Sequence, residues 1–309
     1  MKIYGYCDKY EYFEPNVKGT AVGLGNFDGV HKGHAALLET LTAEAEKRNL
    51  PSLVYMFERH PSNVLCPQNP VKLIISNKRK CEIMEEKGID AVYFDDFTKV
   101  YAGMTPDEFA ENIIAKKLNA KLLVVGENFS FGKNAAGNCD TLSDLGRRYG
   151  FDVIVIPTIT IGGEVVSSSN LRAFIKDGRF DKYEKFTGMR YMIPGEVSHG
   201  REVGRLLGFP TANIRPSEKY VRPMSGVYAT ETVVGGKRFC GITNVGSNPT
   251  FGLNHVVVET HILDFDDNIY EKPIEVEFLY KMRDEIKFSG PEELKKQIAE
   301  DLTERKHKK

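Results

Sequence analysis

One stretch of the sequence determines how the rest of the chain is interpreted: Gly23-Leu24-Gly25-Asn26-Phe27-Asp28-Gly29-Val30-His31-Lys32-Gly33-His34. The residues just before it, 21–24, have the apolar pattern of a short buried strand. The residues after it, 33–48, carry apolar side chains on one face of an amphipathic helix, namely Leu37, Leu38, Leu41 and Ala45. The stretch is therefore predicted to be a turn that leads from a strand into a helix.

The composition of this turn is that of a nucleotide site. Small residues let the backbone approach a ligand closely, and the helix start that follows leaves N–H groups that suit a phosphate. His31 and His34 are three residues apart at this helix start, so both rings can point to the same side of the turn. We therefore predict a nucleotide site in which two imidazoles supply charge.

Two other interpretations of the turn remain open. Gly23-x-Gly25 could begin a dinucleotide-binding motif with Glu58 as the ribose-binding acid, although that motif has a third glycine where this chain has Asp28. Binding of NAD(P)H on titration would support that alternative. The two histidines could also be solvated or helix-capping residues. Against both, the His31-x-Gly33-His34 run resembles the nucleotidyltransferase superfamily, whose members promote attack on the α-phosphate of ATP.

Composition limits the class of protein. A chain of 309 residues is long enough for two domains with separate cores. The net charge of −1, from 42 basic and 43 acidic residues, predicts no broad nucleic-acid surface. The five scattered cysteines, without a CxxC pair, predict reduced thiols in a cytoplasmic protein. We expect no signal peptide and no membrane span, and we expect the basic tail 305–309 to be frayed and solvated.

Up to about residue 160 the pattern alternates between strand and helix. Thr105 and Glu108 predict the capping box that starts one of the helices. The pattern as a whole predicts an α/β doubly wound parallel sheet, whose ligands bind at the carboxyl ends of the strands. The further predicted strands are 53–57, 91–94, 121–125 and 152–156, and the further helices are 78–87, 105–117 and 142–149.

Three more polar stretches fall at those carboxyl ends. The first is Phe57-Glu58-Arg59-His60-Pro61. The second is Gly126-Glu127-Asn128-Phe129-Ser130-Phe131-Gly132, in which two phenylalanines can flank a flat ring and Asn128 can bind its edge. The third is Ser167-Ser168-Ser169-Asn170-Leu171-Arg172, which brings hydroxyls, amides and a guanidinium group to phosphates.

The pattern changes after about residue 186. Residues 190–281 form alternating or β-branched runs separated by glycine and proline, which predicts a small antiparallel β-barrel, and residues 291–302 predict a closing helix. We therefore predict two domains, 1–185 and 186–309. The barrel contains four polar motifs: Gly204-Arg205-Leu206-Leu207-Gly208-Phe209-Pro210-Thr211-Ala212-Asn213, Gly246-Ser247-Asn248-Pro249-Thr250-Phe251, Val258-Glu259-Thr260-His261 and Met282-Arg283-Asp284-Glu285.

In this order and spacing, the four motifs of the sheet resemble the adenylyltransferase module of the bacterial bifunctional riboflavin kinase/FMN adenylyltransferase family, a nucleotidyltransferase with a Rossmann-like fold. The barrel motifs resemble the kinase module of the same family. The chain departs from the family at Arg59, where proline is more common, and at Ser169, where threonine is more common. The resemblance covers nearly the whole chain.

The resemblance implies an enzyme that phosphorylates riboflavin to FMN and then adenylylates FMN to FAD. The implied catalytic residues are Glu259, as the base of the kinase, and His31, His34 and Arg172. The implied ATP-binding residues are Gly25, Phe27, Asp28, Gly33, Ser168, Ser169, Gly204, Arg205, Gly208, Thr211 and Asn213. The implied flavin-binding residues are His60, Asn128, Phe129, Phe131 and Arg283.

The same resemblance implies Mg²⁺, held with ATP by Thr211, and small-molecule partners: riboflavin, FMN, ATP and FAD. It implies no nucleic-acid or membrane partner, and the oligomeric state stays open. One further alternative makes the barrel a non-catalytic binding module attached to a lone adenylyltransferase. The intact Pro210-Thr211-Ala212-Asn213 motif and Glu259 argue against it.

Overall fold

The computed structural model describes residues 1–7, 9–199, 203–248 and 255–307, apart from the side chains of Val203, Arg205, Ser247, Asn248 and His255. The chain forms two compact units, Met1–Asn170 and Leu171–Lys309.

The first unit is built on a six-stranded sheet in which all strands are parallel. Its strands are β1 Lys2–Gly5, β2 Thr20–Leu24, β3 Ser52–Phe57, β4 Ala91–Asp95, β5 Ala120–Gly126 and β6 Asp152–Ile156. Their order is β1-β4-β3-β2-β5-β6. The chain leaves β2 and β5, which are neighbours, in opposite directions, so a ligand crevice opens at their carboxyl ends. The prediction of a doubly wound parallel sheet is confirmed.

The sheet is a buried central layer. All five residues of β2 are buried, and β3 and β4 are buried nearly throughout, as the continuous apolar runs of these strands predict. The helices that connect the strands are α1 Lys32–Arg48, α2 Pro61–Leu65, α3 Asn77–Glu86, α4 Lys99–Ala102, α5 Pro106–Glu108 and α6 Cys139–Tyr149, with α5 continuing as a π-helical segment, Phe109–Lys117. The sequence analysis did not predict β1 or the hairpin of β7 Thr160–Ile161 and β8 Glu164–Val165, which are too short to show a periodic pattern.

The second unit is built on a six-stranded antiparallel sheet with the order β10-β13-β12-β11-β14-β9. Its strands are β9 Tyr191–Glu196, β10 Ala212–Ile214, β11 Gly226–Val234, β12 Lys237–Asn248, β13 His255–Ile262 and β14 Pro273–Arg283. The sheet curls until its edges meet, because Ser198, just beyond β9, donates its backbone N–H to the carbonyl of Asn213 on β10 (2.8 Å). The predicted small antiparallel barrel is confirmed.

The remaining helices are α7 Ser168–Lys176, α8 Phe180–Thr187, α9 Val203–Leu206 and α10 Pro291–His307. Two side chains of α8 belong to the core of the second unit. The ring of Phe180 lies 5.2 Å from that of Phe278, and the ring of Tyr183 lies 5.5 Å from that of Tyr191. The compact units part at residue 170, before the predicted domain boundary at 185, which stays a prediction.

A fragment of residues 186–309 should be markedly less stable than a fragment of residues 171–309. The shorter fragment lacks Phe180 and Tyr183, both of which are buried, and truncating one such aromatic side chain costs about 3–5 kcal/mol. Urea unfolding followed by circular dichroism would measure the difference, which we expect to exceed about 3 kcal/mol. Equal unfolding midpoints would instead support a boundary at 185.

The prediction of a frayed and solvated tail from residue 305 is wrong for Arg305, whereas Lys306 and His307 are exposed as expected. Helix α10 continues to His307, and Arg305 is only 2% exposed. Its Nη2 donates to the backbone carbonyl of Thr230 on β11 (3.3 Å). The prediction failed because the long aliphatic part of an arginine side chain can pack along a core while its guanidinium group is hydrogen-bonded. Residues 308 and 309 lie outside the described part of the chain.

Candidate active sites

A cleft of about 710 Å³ lies in the first unit, at the crevice between the carboxyl ends of β2 and β5. Eight of the predicted site residues line it: Gly25, His31, Gly33, His34, Asn128, Phe129, Phe131 and Ser168. They come from three of the four sequence motifs assigned to the sheet. The fold therefore brings together residues that are far apart in sequence, while their individual roles stay predictions.

The two histidines lie at the start of α1 and face each other. Their rings are stacked, with centroids 3.7 Å apart and an angle of 10° between the planes. His31 is also the N-cap of α1, because its Nδ1 accepts a hydrogen bond from the backbone N–H of His34 (3.2 Å). Since Nδ1 is the acceptor, the proton of the neutral ring is on Nε2. The helix-capping interpretation is thus correct for His31, and it leaves one N–H of the same ring available to a ligand.

Burial keeps both rings neutral. It lowers the pKa of His31 from the ordinary value of 6.5 to about 4. The pKa of His34 is lowered well below its ordinary value by burial and, to a smaller extent, by His31 and Lys80. Near pH 7 the cleft therefore presents two neutral imidazoles rather than the charged pair expected from the sequence. An anionic ligand would raise both pKa values, because an opposite charge favours the protonated ring.

This burial predicts a loss of stability in mild acid. In the unfolded chain His31 takes up a proton near pH 6.5, whereas the folded protein resists protonation down to about pH 4. The free energy of unfolding should therefore fall as the pH drops from 6.5 towards 4, by up to about 3 kcal/mol from this residue. Urea unfolding of the wild type and of His31→Asn at several pH values would measure it. If the free energy of unfolding fell equally in both proteins, protonation of His31 would not be the cause.

The turn before α1 adopts a strained backbone. Phe27 (φ 48°) and Val30 (φ 37°) are both in the left-handed region although neither is glycine, and both are buried. The ring of Phe27 lies 5.1 Å from that of His34, and a Cβ at Gly25 would come within 3.2 Å of it. Phe27 thus packs against Gly25 and His34 within the turn, and it is not among the residues that line the cleft.

Asp28, predicted to bind ATP, is the next residue of the turn and also does not line the cleft. It is buried, and its Oδ1 accepts the backbone N–H of Ile74 (2.9 Å). Its backbone carbonyl accepts the hydroxyl of Ser168 (2.7 Å), so Ser168 joins this turn to the start of α7.

One side of the cleft is aromatic. We call this the aromatic wall, and it consists of Tyr55, Phe57, Tyr101, Phe109, Phe129 and Phe131. The rings of the two predicted residues are stacked with centroids 5.6 Å apart. The sequence analysis gave no role to the other four. Tyr55 and Phe109 lie in a predicted strand and a predicted helix, Phe57 begins one of the polar motifs, and Tyr101 lies outside every predicted element.

Hydrogen bonds behind the aromatic wall hold two of its rings. The Tyr55 hydroxyl bonds to the carboxylate of Asp95 and lies 2.7 Å from the Tyr101 hydroxyl. Asp95 is buried, and Lys117, from the π-helical segment, balances its charge (Nζ–Oδ2 2.7 Å). The wall is thus preorganised on the protein side, which reduces the ordering cost of binding a flat ring.

Two other predicted residues, Asn128 and His60, have structural contacts. Asn128 donates its amide to the hydroxyl of Thr158 (3.1 Å) at the rim of the cleft. His60 caps α2 by accepting the N–H of Ser62 (3.3 Å) and is not among the cleft-lining residues. Ser169 is not among them either. Arg172 lies in the second unit, and its role stays a prediction.

The carboxylate needed for the dinucleotide alternative is already engaged. Glu58 accepts hydrogen bonds from Lys9 Nζ (2.8 Å) and from the Tyr6 hydroxyl (3.1 Å). A ribose-binding acid has to offer its oxygens to the sugar hydroxyls. These contacts therefore weaken the dinucleotide interpretation.

In the second unit, Glu259 and Asn213 are direct cross-strand partners on β13 and β10. On its other side Glu259 pairs with Asn244 of β12. Side chains in such registered pairs have Cβ atoms about 5 Å apart. Glu259 is half-buried, whereas its neighbours Val258 and Thr260 are fully buried on the opposite face of the strand. The fold thus brings the predicted base and the predicted ATP-binding asparagine together.

The loop before β10 is closely packed. A Cβ at Gly204 would come within 2.4 Å of the backbone carbonyl of Phe209 and 3.4 Å of Thr211 Cγ2, so no side chain fits there. Gly208 has a φ of 88°, which favours glycine. His261 of β13 lies with its Nδ1 2.8 Å from the carbonyl of Pro210, which ties the motif to the strand that carries Glu259.

Arg283, predicted to bind flavin, forms a bidentate ion pair within the protein. Its Nε and Nη2 donate to Asp301 of α10 at 3.0 and 2.7 Å, and both side chains are largely buried. This pair holds α10 against the end of β14. The side chain of Arg205 and residues 249–254, which belong to two of the predicted motifs, lie outside the described part of the chain.

The described residues include no cluster of three or more histidine, cysteine, aspartate or glutamate residues that could hold a metal ion. Among them, too, no helix has both the length and the apolar character needed to cross a membrane.

Known protein families match the two parts of the chain separately. A family model described as FAD synthetase matches residues 13–170, and one described as riboflavin kinase matches residues 187–308. The bifunctional riboflavin kinase/FMN adenylyltransferase of Escherichia coli K12 is 37% identical over 285 residues, which cover 92% of this chain and 91% of the relative. The protein of that name from Haemophilus influenzae is 35% identical over 287 residues, or 93% of each chain.

A crystal structure from Streptococcus pneumoniae, described as a macrolide-efflux protein, has a TM-score of 0.88 to this chain, with 28% identity and 98% of each chain covered. That description differs from those of the sequence relatives. Since both family models match and relatives above 30% identity are covered over nearly their whole length, the chain belongs to the family of bifunctional riboflavin kinase/FMN adenylyltransferases.

Proposed function

We propose that this protein makes FAD from riboflavin in two ATP-dependent steps, one in each compact unit. One observation supports the proposal most. Residues from three separate motifs meet in a single cleft of the first unit, and Asn213 meets Glu259 in the second. Each unit therefore has its own set of groups suited to phosphate chemistry.

In the first unit, a phosphate oxygen of FMN attacks the α-phosphorus of ATP. The new P–O bond forms as the bond to the β-phosphate oxygen breaks, and pyrophosphate leaves. No protein nucleophile is needed, so the protein contributes alignment and stabilisation of charge. The aromatic wall holds the flavin ring, the N-terminus of α1 binds phosphate, and the Nε2–H of His31 donates to a phosphate oxygen.

In the second unit, the terminal ribityl hydroxyl of riboflavin attacks the γ-phosphorus of ATP and ADP leaves. Glu259 accepts the proton of that hydroxyl. The hydroxyl of Thr211 and the amide oxygen of Asn213 are the hard oxygen donors that Mg²⁺ prefers, so this donor set fits the ion. When bound, Mg²⁺ would screen the negative charge of the phosphates.

Product analysis tests the proposal directly. The purified full-length protein is given riboflavin, ATP and Mg²⁺, and the products are separated by chromatography. We expect FMN to form first and FAD to follow, and we expect added FMN to become FAD without riboflavin. Formation of FAD from FMN but no FMN from riboflavin would support the alternative in which the barrel only binds. Formation of neither product would refute the proposed function.

We further propose that the protein is cytoplasmic and that its partners are these small molecules. All five cysteines are free thiols, which suits a reducing compartment. The nearly balanced net charge favours small ligands over nucleic acid.

A further inference from the structure

The strained turn between β2 and α1 needs support from its surroundings. Phe27 and Val30 each hold a left-handed conformation that is unfavourable for a residue other than glycine, and such strain persists only where contacts enforce it. Both histidines follow this turn directly, so the turn sets the direction in which their rings enter the cleft. Whatever fixes the turn therefore also fixes the histidine pair.

One of the supports is a buried lysine that the proposed mechanism does not use. Lys80 lies on α3 and is only 3% exposed. Its Nζ donates to the backbone carbonyl of Asn26 (3.1 Å), the residue before Phe27. Two residues further on, the carboxylate and the carbonyl of Asp28 are held by Ile74 and Ser168. The strained residue Phe27 is thus fixed on both sides.

A neutral side chain could donate the hydrogen bond to Asn26, whereas an ammonium group also places a positive charge next to the turn. Lys80 also acts on the histidines, because its charge contributes to lowering the pKa of His34. The other charged or titratable groups coupled to the pair are His31 itself and Asp28, which favours the protonated form of His31.

We propose that Lys80 is a positioning residue for adenylyl transfer, which fixes the Asn26 carbonyl and places a positive charge next to His34. This inference rests on the proposed conversion of FMN to FAD. Lys80 acts through the turn and the histidines, from a helix that does not line the cleft. Its charge favours the neutral form of His34.

The test replaces Lys80 with methionine, which has a similar length and shape but neither the charge nor the donor. Lys78→Met is the matched control, because Lys78 lies on the same helix with an exposed side chain. We expect Lys80→Met to slow FMN adenylylation by about 10- to 100-fold, the scale for misplaced catalytic groups. Lys78→Met should have the wild-type rate, and both variants should phosphorylate riboflavin normally.

A second measurement separates positioning from a general structural role. NMR titration of the His34 ring should give a higher pKa in Lys80→Met than in the wild type, because a nearby positive charge has been removed. If Lys80→Met does not fold, Lys80→Gln takes its place, since glutamine keeps a donor for Asn26 but has no charge. In that variant we expect the same upward shift and a smaller loss of rate.

Three results would overturn the inference: a wild-type rate of FMN adenylylation, an equal loss of both activities, or an unchanged His34 titration. These results can be distinguished from a failure of the proposed function itself. If that fails, the wild-type protein itself does not convert FMN to FAD, whereas here the wild type is active and only the variant differs from expectation.

Discussion

Glu259→Gln should lose riboflavin phosphorylation by about 10²- to 10⁴-fold, the range that a general base contributes. Glutamine has nearly the same shape and can keep polar contacts in the register with Asn213 and Asn244, but it cannot accept the substrate proton. The fold and ATP binding should therefore persist. The measurement is the initial rate of FMN formation from riboflavin and ATP, with binding of ATP followed separately.

The bifunctional chain supplies an internal control for this variant. Conversion of added FMN to FAD is proposed for the first unit and should be unchanged. Glu275→Gln is the matched substitution, because Glu275 is an exposed residue of β14 in the same unit. Normal FMN formation by Glu259→Gln would remove Glu259 from the mechanism and leave it as a polar residue of β13.

His34→Ala should reduce the conversion of FMN to FAD by about 10²- to 10³-fold, the scale for losing one preorganised electrostatic donor. Riboflavin phosphorylation should be nearly unaffected. The rate is followed by chromatography of FAD with FMN and ATP supplied. An equal loss of both activities would indicate misfolding or a wrong assignment of the chemistry to the two units.

For His31 the choice of substitution matters. Alanine would remove both the imidazole and the N-cap of α1, and losing a cap costs about 1 kcal/mol. His31→Asn keeps a capping oxygen while removing the ring, so it isolates the catalytic contribution. We expect it to lose FAD formation to the same extent as His34→Ala, about 10²- to 10³-fold. A much smaller loss would mean that His31 acts mainly as the helix cap.

The local structure of this chain could be predicted from sequence because it depends on close neighbours. The strand-turn-helix around residues 23–34 and the helix α1 follow from apolar periodicity. The capping box at Thr105 and Glu108 is formed as its spacing predicts, with the Glu108 N–H donating to Thr105 Oγ1 (3.2 Å). The alternation of strands and helices, and then of strands alone, was enough to indicate both fold classes.

Sequence patterns could not determine which side chains meet across the fold. Asp28 and Phe27 belong to the site motif, yet neither lines the cleft, and the carboxylate of Asp28 is held by the backbone N–H of Ile74. Tyr101 of α4 lines the cleft, with its hydroxyl 2.7 Å from that of Tyr55 on β3. Arg283 is engaged by Asp301 of α10. In each case the deciding partner is distant in the chain.

The sequence by itself determined the elements and the motifs that carry the chemistry, since propensity, capping and hydrophobic periodicity act over a few residues. The tertiary structure alone decided that β2 and β5 are neighbours, that Glu259 is opposite Asn213, and that Lys80 is buried. Strand order and register depend on how whole faces pack together, and burial, which keeps the His31 and His34 rings neutral, exists only once that packing is complete.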